Sequence, residues 1–311
     1  MNTALFSHSA CLYHDTGLGH PESPDRLRAV IGALEAEEFT WLDRREAPPA
    51  TEEQLARVHA LPYVRWIMAR IPRTEAEGLV QLDGDTLVSA GSREAALRAA
   101  GGVCAAVDAV MAGEVRNAFC AVRPPGHHAE RDRAMGFCVF NNIAVAALHA
   151  RVVHGVERIA VVDFDVHHGN GTEAMFASDE DLLYISSHQW PLYPGTGNPR
   201  DRGLGNILNL GLRPGSGSAE FRAAMSETAL PLLEAFRPGL VLVSAGFDGH
   251  ADDPLAELDL LEADYAWITE RLVAVAAASC QGRLVSTLEG GYNLRALATS
   301  AAAHVRALMA A

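Results

Sequence analysis

Short apolar segments alternate with longer helical patterns through most of the chain, and this alternation restricts the fold more than any other feature. The apolar segments predict strands at about 118–122, 158–163, 182–186, 206–210, 240–245 and 283–287. Helical patterns fall between several of them, at about 140–154, 218–235 and 262–279, and a last helix is predicted at 294–309. Strands that are apolar on both faces and alternate with helices are typical of a parallel sheet covered on both sides. We therefore predict an α/β fold with a central, mostly parallel sheet flanked by helices.

The N-terminal part of the chain is less regular. A short strand is predicted at 3–6, and helical patterns follow at 52–58, 62–70 and 92–111. Ser23 and Pro24 are residue types that favour the N-cap and the first turn of a helix. The chain of 311 residues contains no internal repeat, low-complexity segment or Pro/Ser-rich linker. We therefore expect a single domain over residues 1–311.

The composition limits which cellular environment and which binding partners are expected for the protein. The formal net charge of −14 argues against a nucleic-acid surface, because such a surface needs clustered basic residues. No apolar run approaches the roughly 20 residues of a membrane span, and the first residues lack the basic and apolar regions of a signal peptide. The five cysteines are widely spaced and form no CxxC pair. We expect reduced thiols in a cytoplasmic protein that has no nucleic-acid or membrane partner.

Polar motifs follow five of the predicted strands. They are RPPGHH at 123–128, DVH at 165–167, SSH at 186–188, GFD at 246–248 with DDP at 252–254, and EGGY at 289–292. Open α/β sheets bind ligands outside the carboxyl ends of their strands. We therefore expect these five segments to bring their side chains to one edge of the sheet.

The segment 163–168 predicts a metal site. Alternate side chains of an extended chain share a face, so Asp163, Asp165 and His167 point the same way. A carboxylate oxygen and an imidazole nitrogen two residues apart can bind one cation, and these donors suit zinc or a related first-row metal. A solvated turn after a strand would account for one acid and one histidine. It does not account for four titratable groups within six residues.

A catalytic zinc site has three protein ligands and an open position. The third ligand is expected on another loop that follows a strand, and the candidates are Asp248, Asp252 and Asp253. Asp248 follows its strand closely and could instead accept a hydrogen bond in the interior. The residue pattern alone does not separate Asp252 from Asp253.

The adjacent histidines His127 and His128 follow a Pro-Pro-Gly segment that stiffens the approach and then permits a sharp turn. Near a metal they would form a proton-handling pair, one neutral and one held cationic by a carboxylate. Two structural histidines are the alternative.

Tyr292 follows two glycines, so its phenol could approach a ligand closely and donate to a developing oxyanion. Tyrosine after glycines also occurs in plain turns.

These motifs, in this order, resemble one enzyme superfamily. With HPESP at 20–24, DFDVHHGNGT at 163–172 and SAGFD at 244–248, the chain resembles the zinc-dependent histone deacetylases, acetylpolyamine amidohydrolases and acetoin-utilisation proteins. The resemblance covers roughly residues 14–300 and is strongest to the class II deacetylases and their bacterial relatives. It implies a single-domain arginase/deacetylase-like fold with the active site at the carboxyl ends of the strands.

The resemblance also implies roles for individual residues. It makes Asp165, His167 and Asp253 the ligands of one zinc ion per chain, with Asp253 preferred because the ligand of that family immediately precedes a proline. It makes His128 the general base and acid, with Asn170 as its partner. The second, more cationic histidine is then His127, paired with Asp163, and Tyr292 is the tyrosine that stabilises the transition state.

Two further sites follow from the resemblance. A potassium ion is implied beneath the zinc, at Asp163, Asp165, His167 and Ser186. The walls of the acyl-lysine tunnel are implied at Gly136, Phe137, Tyr193 and Leu260. Polyamine-specific members can carry an acidic residue at the position of Leu260, and binuclear manganese ureohydrolases carry an acid at the position of Gly169.

The expected function is therefore hydrolysis of the amide of an acylated primary amine by metal-activated water. The expected substrate is an acetylated or otherwise acylated lysine of a peptide or protein. The alternatives are an acetylpolyamine amidohydrolase that acts on small acylated amines, and a metalloprotein that binds acylated ligands without turnover. Whether the chain forms a homo-oligomer is left open.

Overall fold

An eight-stranded sheet forms the centre of the computed structural model, which describes residues 2–311. Its strands are β1 (Thr3–Ser7), β2 (Asp43–Glu46), β5 (Asn117–Cys120), β6 (Ile159–Asp163), β7 (Leu182–Gln189), β8 (Ile207–Leu212), β9 (Leu240–Ala245) and β10 (Leu284–Leu288). All neighbouring strands in the sheet are parallel, in the order β2-β1-β5-β10-β9-β6-β7-β8. A separate antiparallel pair joins β3 (Val80–Gln81) to β4 (Leu87–Val88).

Helices connect the strands and flank the sheet. They are α1 (Pro24–Ala33), α2 (Glu52–Ala56), α3 (Leu61–Arg70), α4 (Ser92–Met111), α5 (Asn142–His154), α6 (Asn170–Phe176), α7 (Ser218–Ala224), α8 (Leu230–Phe236), α9 (Glu262–Cys280) and α10 (Leu294–Met309). Among residues 2–311, no helix is both long and apolar enough to cross a bilayer.

The six strands predicted from apolar segments are all present, within a few residues of the expected bounds. Every residue of β5, β6, β9 and β10 is buried, because helices cover both faces of a parallel sheet. The predicted parallel α/β fold is therefore confirmed. The five cysteines are free and buried.

Several elements differ from the sequence-based expectation. The strand β2 was not predicted, because its sequence DRRE has no apolar residue and it lies at the edge of the sheet, where charged side chains reach water. The helix predicted at 218–235 is interrupted by a π-helical turn at Met225–Ala229. The turn precedes Pro231, which has no N–H group for an α-helical hydrogen bond. The short helix α6 was also not predicted. Ser23 occupies the expected N-cap position of α1 but makes no capping hydrogen bond.

Candidate active site

The carboxyl ends of β5, β6, β7, β9 and β10 meet at one edge of the sheet. Asp163 is the last residue of β6 and lies beside Ser186 of β7 and Ser244 of β9 in the strand register. The loops after β5 and β10 reach the same place, because Glu289 accepts hydrogen bonds from the backbone of the loop that carries His127. The expected convergence of the five polar segments on one edge is therefore observed.

Asp165 and His167 lie together directly after β6. The Nδ1 atom of His167 is 3.2 Å from Oδ1 of Asp165 and 3.1 Å from Oδ2 of Asp248. Donor atoms of these three residues all lie within 4.8 Å of one another. The other carboxylate oxygen of Asp165 accepts the N–H of Gly290 at 2.8 Å. This group offers oxygen and nitrogen donors of the kind that bind a divalent first-row metal.

The three aspartates left open by the sequence have different environments. Asp248 is fully buried, and its Oδ1 accepts the N–H of Val166 at 2.9 Å. Asp253 is also buried, and its Oδ2 accepts the N–H of Tyr292 at 2.7 Å. Asp252 is exposed. The structure therefore separates Asp252 from the buried pair and places Asp248, rather than Asp253, in the close group with Asp165 and His167.

The charge balance of this group fits a cation. Burial and the neighbouring carboxylate of Asp165 raise the pKa of Asp248 to about 7. Burial also raises the pKa of Asp253. Buried carboxylates that crowd one another in this way are stabilised by a positive ion placed between them. Burial works to lower the pKa of His167, but the carboxylates of Asp165 and Asp248 outweigh burial and raise it to about 10. The residues present are suited to a divalent metal, which would take the place of this proton.

His127 is paired with a carboxylate. Its Nδ1 lies 2.9 Å from Oδ2 of Asp163, and the same oxygen accepts the phenol of Tyr184 at 2.9 Å. Burial disfavours the charged imidazole, but the carboxylates of Asp163 and Asp165 outweigh burial and hold the pKa of His127 well above its usual value. His127 is therefore cationic at neutral pH.

His128 is paired with an amide. Its Nδ1 lies 2.9 Å from Oδ1 of Asn170, and the amide nitrogen of Asn170 donates to Glu130 at 2.8 Å, which fixes the orientation of the amide. Burial and the positive charges of His127 and His167 hold the pKa of His128 well below its usual value. The Nδ1 atom then carries the proton, and Nε2 of the neutral ring is free to accept one.

Tyr292 is brought to this group by the two glycines before it. A Cβ atom at Gly290 would lie 2.0 Å from Oδ2 of Asp248, so only glycine fits there. Gly291 has φ of +123°, which glycine adopts without strain. Burial raises the pKa of the Tyr292 phenol well above its usual value, although the nearby guanidinium of Arg26 opposes the shift. The phenol therefore remains a hydrogen-bond donor at neutral pH.

A cavity of about 200 Å³ opens onto these groups. Phe137 packs edge-on against Tyr292 with ring centroids 5.8 Å apart, and Tyr193 packs against His128 at 5.2 Å. A larger cavity of about 580 Å³ lies beside α1 and β2 but contains none of the candidate catalytic groups. The smaller cavity is lined by Asp85, His128, Gly136, Phe137, His167, Leu192, Tyr193, Leu255 and Tyr292.

The expected tunnel residues Gly136, Phe137 and Tyr193 line this cavity, but Leu260 does not. Leu260 is buried in the core, and its backbone pairs with that of Gly249 at 3.1 Å because the intervening segment folds back on itself. The leucine on the cavity wall is Leu255. The assignment of Leu260 to the tunnel is therefore corrected, since spacing along the chain did not include this turn.

Ser186 lies in β7 and is fully buried next to Asp163. Its hydroxyl is 2.8 Å from Nδ1 of His188. The four residues expected to bind potassium thus lie at the end of β6, in the loop that follows it and in the adjacent part of β7. The potassium site itself stays a prediction.

Sequence reasoning missed two buried groups that support the site. The carboxylate of Glu289 accepts the N–H groups of Gly126 at 2.6 Å and His127 at 3.1 Å. The guanidinium of Arg26 donates to the carbonyl of Gly291 at 2.6 Å and pairs with Glu22 at 3.0 Å. Glu289 lies in the EGGY motif and Arg26 lies two residues after the HPESP motif, but nothing in the local pattern indicated which backbone groups they would bind.

Comparison with known proteins supports the family resemblance seen in the sequence motifs. Residues 20–308 match the family model described as histone deacetylase domain. Histone deacetylase-like amidohydrolase of Pseudomonas aeruginosa is 42% identical over 94% of this chain and 82% of that protein. Histone deacetylase 14, chloroplastic, of Arabidopsis thaliana is 40% identical over 98% of this chain and 76% of that protein.

Among solved structures, the crystal structure of the HDA15 HD domain superposes with a TM-score of 0.92. It is 35% identical in sequence, and the match covers 99% of this chain and 88% of the other. The fold, the convergent polar segments and these matches agree, and the chain belongs to the histone deacetylase family.

Proposed function

We propose that the protein is a zinc-dependent hydrolase that removes acetyl or other acyl groups from lysine side chains. Membership of the histone deacetylase family supports deacetylase, that is amidohydrolase, activity. The observation that carries the proposal is the pair of adjacent histidines, of which His127 is bonded to a carboxylate and His128 to an amide. Their ring centroids are 4.0 Å apart, and His128 borders the cavity beside His167.

The proposed zinc ligands are Asp165, His167 and Asp253, and the buried, crowded carboxylates support a cation there. Zinc supplies Lewis acidity when bound, so it polarises an acyl carbonyl and lowers the pKa of water. Asp248 lies against this set, because its Oδ2 is 3.1 Å from Nδ1 of His167 and its Oδ1 accepts the N–H of Val166. Potassium is proposed at Asp163, Asp165, His167 and Ser186.

The protein side chains then have separate tasks. His128 is neutral and has a free Nε2, so it takes the proton from the attacking water. The phenol of Tyr292 donates to the oxygen that becomes negative in the transition state. His127 stays protonated beside Asp163 and stabilises negative charge at the site. His128 then returns the proton that it took from water to the departing amine.

The cavity favours a narrow substrate with an alkyl chain. Phe137 and Tyr193 form aromatic walls, and Leu255 adds an apolar surface. These walls suit the methylene chain of an acylated lysine. An acylated polyamine is the second candidate, because Asp85 also borders the cavity and the net charge of −14 would attract a cationic tail.

Acetate release from two substrates at equal concentration tests the proposal. The protein is treated with a chelator, reloaded with zinc, and given an acetyl-lysine peptide or acetylputrescine. We expect release that requires zinc, is faster with the peptide, and is lost in His128→Ala. Faster release from acetylputrescine would support the polyamine alternative, and zinc-dependent binding of both without release would indicate a non-catalytic protein. The cytoplasmic location stays a prediction, and the oligomeric state stays open.

A further inference from the structure

A second cluster of metal-ligating side chains lies between the helices α4 and α5, outside the candidate active site. Asp108 is on α4, and His149 and His154 are on α5. The Nε2 atoms of both histidines lie 2.7 Å from the same carboxylate oxygen of Asp108. Donor atoms of the three residues all lie within 4.8 Å of one another. We infer that Asp108, His149 and His154 form a binding site for a second divalent metal ion of the zinc class.

The donors suit such an ion. Two imidazoles and one carboxylate are ligands that zinc, cobalt and nickel accept, with solvent completing the coordination. The side chain of His149 is 6% exposed, whereas those of His154 and Asp108 are 22% and 49% exposed. The cluster is therefore anchored on its inner side and open to an incoming ion on its outer side.

The three groups can take up an ion without a large rearrangement. One carboxylate oxygen of Asp108 already faces the Nε2 atoms of both histidines. Each histidine would bind the ion through Nε2 and carry its ring proton on Nδ1. The donor atoms then separate slightly from hydrogen-bond distance to the spacing of ligands around one ion.

Arg57 is the group that opposes ion binding. Its Nη1 lies 2.8 Å from Nδ1 of His149, where the metal-bound ring would carry a proton. It also adds a positive charge near the cluster. The same guanidinium already contacts Glu53, with Nη2 3.1 Å from Oε1, so it can turn toward that carboxylate when the ion binds. Arg57 should therefore weaken the site without abolishing it.

Because Arg57 opposes ion binding, its replacement should strengthen the binding of metal at this site. In Arg57→Gln, the amide oxygen can accept the proton on Nδ1 of His149, and the competing positive charge is removed. Groups that orient a metal-bound histidine in this way typically change metal affinity by 10–100-fold. We expect Co²⁺ to bind this site about tenfold more tightly in Arg57→Gln than in the wild-type protein.

Metal stoichiometry in the full chain separates the two sites. After chelation and reloading with Co²⁺, the wild-type protein should bind two equivalents by elemental analysis and titration calorimetry. His167→Ala removes the candidate active-site ligand and should retain one equivalent. His154→Ala and Asp108→Asn should each retain one equivalent, and His154→Ala combined with His167→Ala should retain none. Circular dichroism spectra are compared to verify that each variant is folded.

Several results would overturn the inference. A single equivalent in the wild-type protein that is lost in His167→Ala would remove the second site and leave the proposed hydrolase intact. Unchanged stoichiometry in both His154→Ala and Asp108→Asn would also remove it, as would equal or weaker binding in Arg57→Gln. Conversely, one equivalent in the wild-type protein that His154→Ala removes and His167→Ala does not would support this site and count against the proposed active-site metal.

Discussion

His127 and His128 are adjacent in the chain and both buried, yet their pKa values are shifted in opposite directions. The difference comes from the residue that each ring contacts, a carboxylate at Asp163 and an amide at Asn170. A carboxylate stabilises the imidazolium, whereas an amide does not offset the cost of burying charge. One residue of the pair is thus prepared to hold a proton and the other to accept one.

Tyr292→Phe tests the role of the phenol. The phenol stays protonated because burial raises its pKa, so its removal leaves developing negative charge without one donor. Turnover of an acetyl-lysine peptide should fall about 100-fold, measured as acetate release with the zinc-loaded enzyme. Tyr13→Phe is the control, because that side chain is exposed. Equal turnover in Tyr292→Phe and the wild-type enzyme would remove Tyr292 from the mechanism.

Substitutions of Glu289 test whether this carboxylate holds the loop of His127 in place. Glu289→Ala leaves the N–H groups of Gly126 and His127 buried without acceptors, at about 1–3 kcal/mol each. We expect a loss of about 2–6 kcal/mol in the free energy of unfolding, measured by urea denaturation. Glu289→Gln keeps one acceptor oxygen and should lose much less. Equal losses in the two variants would contradict a role based on these hydrogen bonds.

At the scale of the element, the helix α4 shows how tertiary contacts override helix propensity. Gly101 lies in the interior of α4, where alanine would be the better helix former. A Cβ atom there would lie 2.1 Å from the carbonyl oxygen of Pro48 and 2.4 Å from the backbone nitrogen of Ala50. Close backbone approach, and not helix stability, therefore explains the glycine. In α1, by contrast, nothing lies within 4 Å of a Cβ atom placed on Gly32.

The same substitution in these two helices should have opposite effects. Gly32→Ala gains helix propensity at an open position, so the free energy of unfolding should rise by about 0.5–1 kcal/mol. Gly101→Ala forces α4 away from the segment that contains Pro48. This change should lower the free energy of unfolding by about 1–3 kcal/mol. Urea denaturation of both variants measures the two values. A stabilised Gly101→Ala variant would show that the segment containing Pro48 can move away from α4 at little cost in free energy.

Across the whole molecule, several histidines are buried in the neutral form far from water. His304 lies among aromatic rings and bonds the hydroxyl groups of Thr269 and Ser286 at 2.6 and 2.8 Å. Burial lowers its pKa from 6.5 to about 3. Below pH 6.5 the unfolded chain therefore binds a proton at this residue that the folded protein does not bind. The folded state must lose stability on this account as the pH falls from about 6.5 toward 3.

Removal of His304 should flatten the pH dependence of stability. The residue contributes a slope of about 1.4 kcal/mol per pH unit in that window, and none above pH 7. The difference in the free energy of unfolding between the wild-type protein and His304→Gln should therefore shrink from pH 7.5 to pH 5. Urea denaturation at several pH values measures it. Parallel curves for the two proteins would show that the folded state binds the proton as readily as the unfolded chain.

The sequence by itself determined the features that depend on local pattern. Apolar segments of strand length located the buried strands, and the alternation with helices predicted a parallel sheet. Because parallel strands share a direction, the motifs that follow them could be assigned to one edge before any contact was known. The motifs with Asp165, His167 and His128 also carried the resemblance that the family match confirms.

Tertiary structure alone decided which distant groups meet. It separated the exposed Asp252 from the buried Asp253, and it put Leu255 instead of Leu260 on the cavity wall. It also joined Glu289 to the backbone of His127 across 162 positions of the chain. Local periodicity reports only which face of an element is apolar. Pairings like these depend on strand order and on how each loop folds back, and such long-range contacts leave no periodic trace in the sequence.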